Sequence, residues 1–285
     1  MYFWNHTNVH KSQTCSELMI LFPNAKINIG LNILNRRADG YHNLQTIFYP
    51  VAINDVLEVI ESDQLQFTSS GIPIPGNRDE NLCLSVYHSL SRDFTLPPVH
   101  IHLHKNIPIG AGLGGGSADA AFMICLINEK FNLGIPDESM QDYARRLGAD
   151  CAFFIQNQPV VAYEKGDQFL NIQLDLSNYY LVLVMPEVHV STADAYKRVV
   201  PNNFANPLED VIQLPIKEWR NHIVNDFEKS VFQKFPVIKE LKNYMYKSGA
   251  LYSSMSGSGA SVYGIFEKNI RLPELEQNNR VYYGI

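Results

Sequence analysis

Cysteine is scarce: four in 285 residues, at positions 15, 83, 125 and 151, with no Cys-x-x-Cys pair. That spacing argues against a disulfide framework or a cysteine-built zinc site, and reads as reduced thiols in a cytosolic protein. No stretch reaches the roughly eighteen uncharged apolar residues of a membrane span. Basic excess is also missing. The 23 Lys and Arg face 29 Asp and Glu, for a formal charge of -6, so the chain offers no footprint for nucleic acid. An anionic ligand must therefore be held by local groups against the overall field. Internal repeats and low-complexity segments are absent. Residues 1–18 lack the basic region and long apolar core of a signal peptide, and the arginine richness of a transit peptide. They read as a dispensable N-terminal extension, because a regular pattern starts only at Met19.

What is present is core-forming sequence, 46% hydrophobic and 18% charged. Alternation and β-forming residues predict strands over 20–34, 44–51, 56–60, 99–104, 151–155, 160–163, 179–185 and 260–266. Helical spacing predicts helices over 81–91, 117–132, 138–147, 193–199, 218–235 and 237–247. Asp39-Gly40 and Gly166-Asp167 mark turns. Strands and helices do not alternate regularly, so the fold class is α+β rather than a doubly wound sheet. The texture changes between residues 165 and 180, and the expected division is 1–18 as extension, 19–170 and 171–285.

Five of the seven positions from Gly110 to Gly116 are glycine, with Pro108 before them and an apolar helical stretch behind. Glycine lets backbone N–H groups turn inward, and a helix start adds free N–H groups and a positive dipole end, so the segment reads as a phosphate cradle. It is neither a Walker A motif, lacking Gly-Lys-Ser/Thr, nor a clean dinucleotide fingerprint. Ser117 is expected to cap the helix while also serving as a phosphate donor or Mg²⁺ ligand. Asp150 follows a helix stop and precedes apolar residues; it either caps a turn or accepts a hydroxyl proton. Lys26 lies in an apolar strand with Asn24 and Asn28 on its face. A buried lysine needs a partner, and Asp150 is the candidate. Tyr41-His42, after the Arg36–Gly40 turn, form either an ordinary solvated hairpin or a lip that stacks on a planar ring. His100, His102 and His104 share a strand face. A metal site there is conceivable, but a solvated face is the stronger reading, since no carboxylate or cysteine accompanies them at ligand spacing.

Three of these segments resemble the motifs of the galactokinase, homoserine kinase, mevalonate kinase and phosphomevalonate kinase (GHMP) superfamily: 23–28, 108–121 and 255–260. The runs Ala25-Lys26-Ile27-Asn28, Arg37-Ala38-Asp39-Gly40-Tyr41-His42 with Leu44-Gln45-Thr46, and Leu147-Gly148-Ala149-Asp150 more narrowly resemble the kinases of 4-diphosphocytidyl-2-C-methyl-D-erythritol. The resemblance implies a two-domain small-molecule kinase fold with the active site in the cleft between domains, in the cytoplasm. It implies ATP as phosphoryl donor, Mg²⁺ travelling with it, and a small cytidylated alcohol as acceptor. By motif position it makes Asp150 the base and Lys26 its partner, and Asn28 places the hydroxyl. Tyr41 and His42 would read cytosine, with Tyr196 as a second aromatic wall. Gly110, Gly112, Gly114, Gly115, Gly116 and Ser117 would wrap the phosphates, with Pro108, Asn81 and Lys105 near the nucleotide. Two positions depart from the pattern: Cys151-Ala152 where valine and proline are common, and Tyr196 where phenylalanine is. A homoserine or mevalonate-type kinase would keep the glycine run without reason for Asp39-Gly40-Tyr41-His42. A silent nucleotide sensor would be free to lose Lys26 or Asp150.

Overall fold

Apolar alternation builds three four-stranded sheets in the computed structural model, which describes residues 19–197, 199, 201 and 207–285. The 1–18 extension reading lies outside the described residues. The first sheet orders β1 (Met19–Leu21), β4 (Val56–Glu61), β6 (Val99–Lys105) and β5 (Gln66–Gly71), with β5 parallel to β6. The second orders β2 (Asn24–Arg36), β3 (His42–Asn54), β7 (Val160–Tyr163) and β8 (Gln168–Asn171). The third orders β10 (Tyr252–Met255), β11 (Val262–Phe266), β9 (Tyr180–Pro186) and β12 (Asn279–Tyr283). Its strands pair antiparallel, which makes the fold α+β as expected.

The helices needed here are α1 (Leu82–Asp93), α2 (Gly115–Lys130), α3 (Asp137–Arg145), α4 (Phe153–Gln156), α5 (Thr192–Tyr196), α6 (Leu208–Val211), α7 (Ile216–His222), α8 (Phe227–Lys234) and α9 (Pro236–Lys247). Buried Val99, Ile101 and Leu103 of β6 share one core with α1 and α2. Buried Ala25, Ile27 and Ile29 of β2 share another with Tyr252, Tyr263 and Ile265 of the third sheet. The Tyr263 hydroxyl also donates to the Asn28 carbonyl at 3.0 Å. One face of β2 thereby fixes the third sheet against the second, while Lys26 and Asn28 alternate onto the opposite face and line the seam with the glycine run, where the site lies.

The observed elements correct the sequence reading in five places. Pro23 interrupts the expected 20–34 strand, and its two parts join different sheets. The expected strand at 151–155 is turn and short helix α4, a short apolar run whose period does not discriminate between the two. The expected helix 218–235 divides into α7 and α8, because the Val224 carbonyl and Asp226 N–H bond Leu31 of β2 instead of a helical neighbour. Ser117 does not cap α2; left-handed Gly114 stands at the N-cap with no side-chain cap bond, and Ser117 lies inside the first turn. Strands β5 and β8 had no counterpart in the expectation, since both are short and largely polar. The three histidines do share a face, where the Thr68 hydroxyl lies 2.8 Å from both His100 and His102, and Ser70 bonds His102 and His104. Among the described residues no group of three or more His, Cys, Asp or Glu is arranged to hold a metal ion.

Candidate active site

Lys26 enters the seam from β2 with only 3% of its surface exposed. A buried ammonium must spend its three N–H groups on acceptors. Here Nζ lies 2.5 Å from Asn28 Oδ1, 3.3 Å from the Gly112 carbonyl and 3.3 Å from Asp150 Oδ2. Its cation also sits 4.8 Å from the Phe48 ring centroid. The pairing of Lys26 with Asp150, expected from polarity alone, is present. Asp150 stands beyond α3 in a turn before α4, with its side chain 33% exposed, so the carboxylate is held on one side and open on the other. Asn28 is locked as firmly: Nδ2 donates to Thr46 Oγ1 at 2.9 Å, and Thr46 donates to the Gly30 carbonyl. The amide oxygen is thus left facing Lys26.

The glycine run crosses directly over this lysine. Gly114 has φ +71, and a Cβ there would stand 3.1 Å from Lys26 Cε and 3.0 Å from the Phe154 ring. Gly112 has φ +76, and a Cβ there would stand 2.1 Å from the Ser256 carbonyl oxygen. Both need glycine for conformation and for space. Ser256 closes the contact from its side: its hydroxyl donates to the Gly112 carbonyl at 2.9 Å and accepts from the Asn28 N–H at 3.2 Å. Gly110 adds another left-handed residue, and beyond Gly116 lies open space with only Leu82 at 3.9 Å. The run therefore presents an open cradle at the start of the 16-residue helix α2, which suits an anion. Buried Pro108 leads into it, and Gly115 rests against Ile107. Ser117 hydrogen-bonds the Cys151 thiol, which burial pushes up to about 11, so that cysteine stays protonated. Asn81 caps α1, its Oδ1 accepting from the Cys83 N–H at 2.9 Å, and Leu82 beside it faces Gly116.

Lys105 is brought under the same loop but differs in setting. Its ammonium, 3.4 Å from a Cβ placed on Gly115, donates to Asp119 Oδ2 at 2.7 Å and to Asp55 Oδ2. Asp55 is fully buried and also accepts from the Asn106 and Ile107 N–H groups. Asp119 Oδ1 has no hydrogen-bond partner. Burial, opposed by Lys105 and reinforced by Asp55, pushes the Asp119 carboxyl up to about 7.

On the far side of Asp150 stand three rings. Tyr41 is 64% exposed at the tip of its turn. His42 stacks on Tyr196 with centroids 4.9 Å apart and planes at 26°, and Tyr196 meets Phe227 edge-on at 4.7 Å. Burial raises the Tyr196 hydroxyl pKa, and the Asp150 charge adds to it. Tyr196 thus lies within the field of the Asp150 charge, with His42 stacked against its ring. Thr46 and Ser256 lie in segments that carry the resemblance but have no role of their own there, and Asn225 was not singled out from sequence. Buried Asn225 donates to the Met255 and Gly257 carbonyls at 2.9 and 2.8 Å and fixes the second glycine loop. The bonds that bring them into the site reach 16 to 228 residues along the sequence, so periodicity carries no trace of them.

Known proteins are similar to this chain in sequence and in fold. The family model for the GHMP kinases N terminal domain matches residues 81–164, and that for the GHMP kinases C terminal region matches 209–282. A 4-diphosphocytidyl-2-C-methyl-D-erythritol kinase of Cytophaga hutchinsonii is 53% identical over 249 residues, covering 87% of this chain and 92% of the relative. One of Bacteroides fragilis is 51% identical over 262 residues, covering 90% and 96%. A crystal structure of 4-(cytidine 5'-diphospho)-2C-methyl-D-erythritol kinase superposes with a TM-score of 0.80 at 29% identity, covering 93% of this chain and 98% of the other. Homoserine kinase from Cytophaga hutchinsonii, at TM-score 0.69 and 18% identity, shares the fold. Relatives above half identity over nearly nine-tenths of the chain, together with both family models, show that the chain belongs to the 4-diphosphocytidyl-2-C-methyl-D-erythritol kinase family of the GHMP kinases.

Proposed function

We infer that the chain transfers the γ-phosphoryl group of ATP to the 2-hydroxyl of 4-diphosphocytidyl-2-C-methyl-D-erythritol, giving the 2-phosphate and ADP in the methylerythritol phosphate route to isoprenoid precursors. The observation that carries this reading is the Lys26 ammonium, within 3.3 Å of the Asp150 carboxylate and of the Gly112 carbonyl at once. One group thus joins the acceptor side to the phosphate side. The triphosphate lies along Gly110 to Ser117, with the γ-phosphorus toward Lys26. Mg²⁺ comes with the nucleotide and neutralises its phosphates. The acceptor hydroxyl lies against the open side of Asp150, placed by Asn28. Its oxygen forms the new bond to phosphorus as the β–γ bridging bond breaks, and the proton passes to Asp150. The transition state is loose, so Asp150 and Lys26 contribute chiefly position and charge. Tyr41 and Tyr196 enclose the cytosine, and His42 reads its edge. Asn81 and Pro108 border the nucleotide. The division of labour follows residues 19–170 for ATP and 171–285 for the substrate side, and the enzyme works in the cytoplasm on small soluble substrates.

A coupled assay for ADP release, run with the cytidylated methylerythritol beside homoserine and mevalonate, tests the reading. Stimulation by the first alone is expected. Stimulation by homoserine or mevalonate instead would replace the substrate and keep the transfer chemistry.

A further inference from the structure

We infer that Arg37 is a positioning residue for the acceptor substrate, fixing the Tyr41-His42 lip to the turn that borders Asp150. The inference rests on the cytidine-reading role given to that lip. Arg37 is outside the three superfamily motifs and touches neither Lys26 nor the glycine run. Its guanidinium instead spans two turns far apart in sequence. Nε donates to Asp39 Oδ2 at 3.1 Å, and Nη1 donates to Asn43 Oδ1 at 2.7 Å and to the Glu164 carboxylate. Asp39 Oδ1 in turn accepts from the Tyr41 N–H at 3.1 Å. The Arg37 N–H donates to the Tyr41 carbonyl at 2.8 Å. Tyr41 is therefore gripped at both its backbone groups by Arg37 and by the carboxylate that Arg37 holds.

The second turn is bound by the same cation. Glu164 is a non-glycine residue at φ +56, a left-handed conformation that persists only when its surroundings impose it. Its carbonyl accepts from the Leu44 N–H at 2.8 Å, and its carboxylate accepts from Arg37. The next residue, Lys165, carries its ammonium 5.7 Å from the Tyr41 ring centroid. A Cβ placed on Gly166 would stand 3.9 Å from Asp150 Oδ1. One guanidinium thus sets the lip relative to the turn that flanks the base. Without it, the Asp39 and Glu164 carboxylates lose the cation they share, Asp39 keeps only the Lys165 charge nearby, and the like charges are left to repel each other across the two turns. Exposed ion pairs of this kind add little to global stability. Loss of Arg37 is therefore read in substrate recognition and not in melting.

Steady-state kinetics on the full chain, varying the cytidylated alcohol and ATP separately, test this. Arg37→Ala is expected to raise KM for the cytidylated alcohol by about tenfold, with KM for ATP and the melting temperature held near wild type. Arg37→Lys recovers part of the loss, because a point charge replaces the fork. Adding Glu164→Gln to Arg37→Ala also recovers part, because the repulsion is relieved. An unchanged KM for the alcohol, or an equal rise in both KM values, overturns the proposal. If wild-type protein does not phosphorylate the cytidylated alcohol, the substrate reading fails, and amide exchange at Tyr41 and Leu44 decides on Arg37 alone. Faster exchange in Arg37→Ala sustains the positioning role, and unchanged exchange ends it.

Discussion

Lys26 and Lys105 are both buried, both paired with carboxylate and both beneath one glycine run, yet they are built for different work. Lys26 has one carboxylate partner, Asp150, whose side chain is 33% exposed. Lys105 has two, Asp55 and Asp119, at 0% and 4%. Lys26 fills its remaining donors with neutral oxygens from Asn28 and Gly112, so no second carboxylate competes with Asp150. A charge pair with one open face can be offered to a substrate. A closed set of three charges holds its own elements together: the turn at Asp55, the end of β6 and the first turns of α2.

The widest separation between the two sets is expected from Asp150→Asn. Turnover should fall about a thousandfold while ATP binding and melting temperature are kept. Near-normal turnover in that variant would remove Asp150 from the chemistry and erase the contrast. Lys105→Met is the mirror image. It leaves two buried carboxylates without their cation and should cost about 3–5 kcal/mol in denaturant unfolding. A stable Lys105→Met protein with a selectively raised KM for ATP would instead make Lys105 a nucleotide ligand.

Asp119→Asn sharpens the comparison through pH. The Asp119 carboxyl titrates at about 7 when folded against an ordinary 3.8, so the folded state binds the proton more tightly. Its stabilising contribution is complete below about pH 4 and is lost as pH rises toward 7. Unfolding measured between pH 4 and 7 should show wild type losing stability relative to Asp119→Asn. A constant difference across that window would mean that the closed set does not titrate. The smallest effect is expected from Tyr41→Ala, outside both lysine sets. Loss of one stacking wall, worth about 1 kcal/mol, should raise KM for the cytidylated alcohol about fivefold and leave that for ATP alone. Equal KM values would remove Tyr41 from recognition.

The two lysines also differ in how legible they were. Lys26 advertised itself as a cation in an apolar strand between Asn24 and Asn28, and its carboxylate followed a helix stop. Lys105 ends a strand of alternating histidines, where a lysine looks solvated. Its partner Asp55 lies 50 residues back, and Asp119 resembles a polar residue on a helix. Strands with clear alternation were readable because one face is core, as in β4 and β6. The break between α7 and α8 was not, because a contact with Leu31 creates it, and neither was the Gly114 cap, because Ser117 is the better capping residue by type. Local chemistry was legible; what depended on distant partners was not.

The close fit of Gly112 against Ser256 has a consequence for synthesis. The cradle's oxygen is bonded by a residue 144 positions later, and Asn225 must first hold the loop that carries it. A nascent chain that has emerged only through the glycine run carries the motif without its shape. The contact that closes the glycine run therefore forms only after Ser256 has been made, with most of the chain already synthesised.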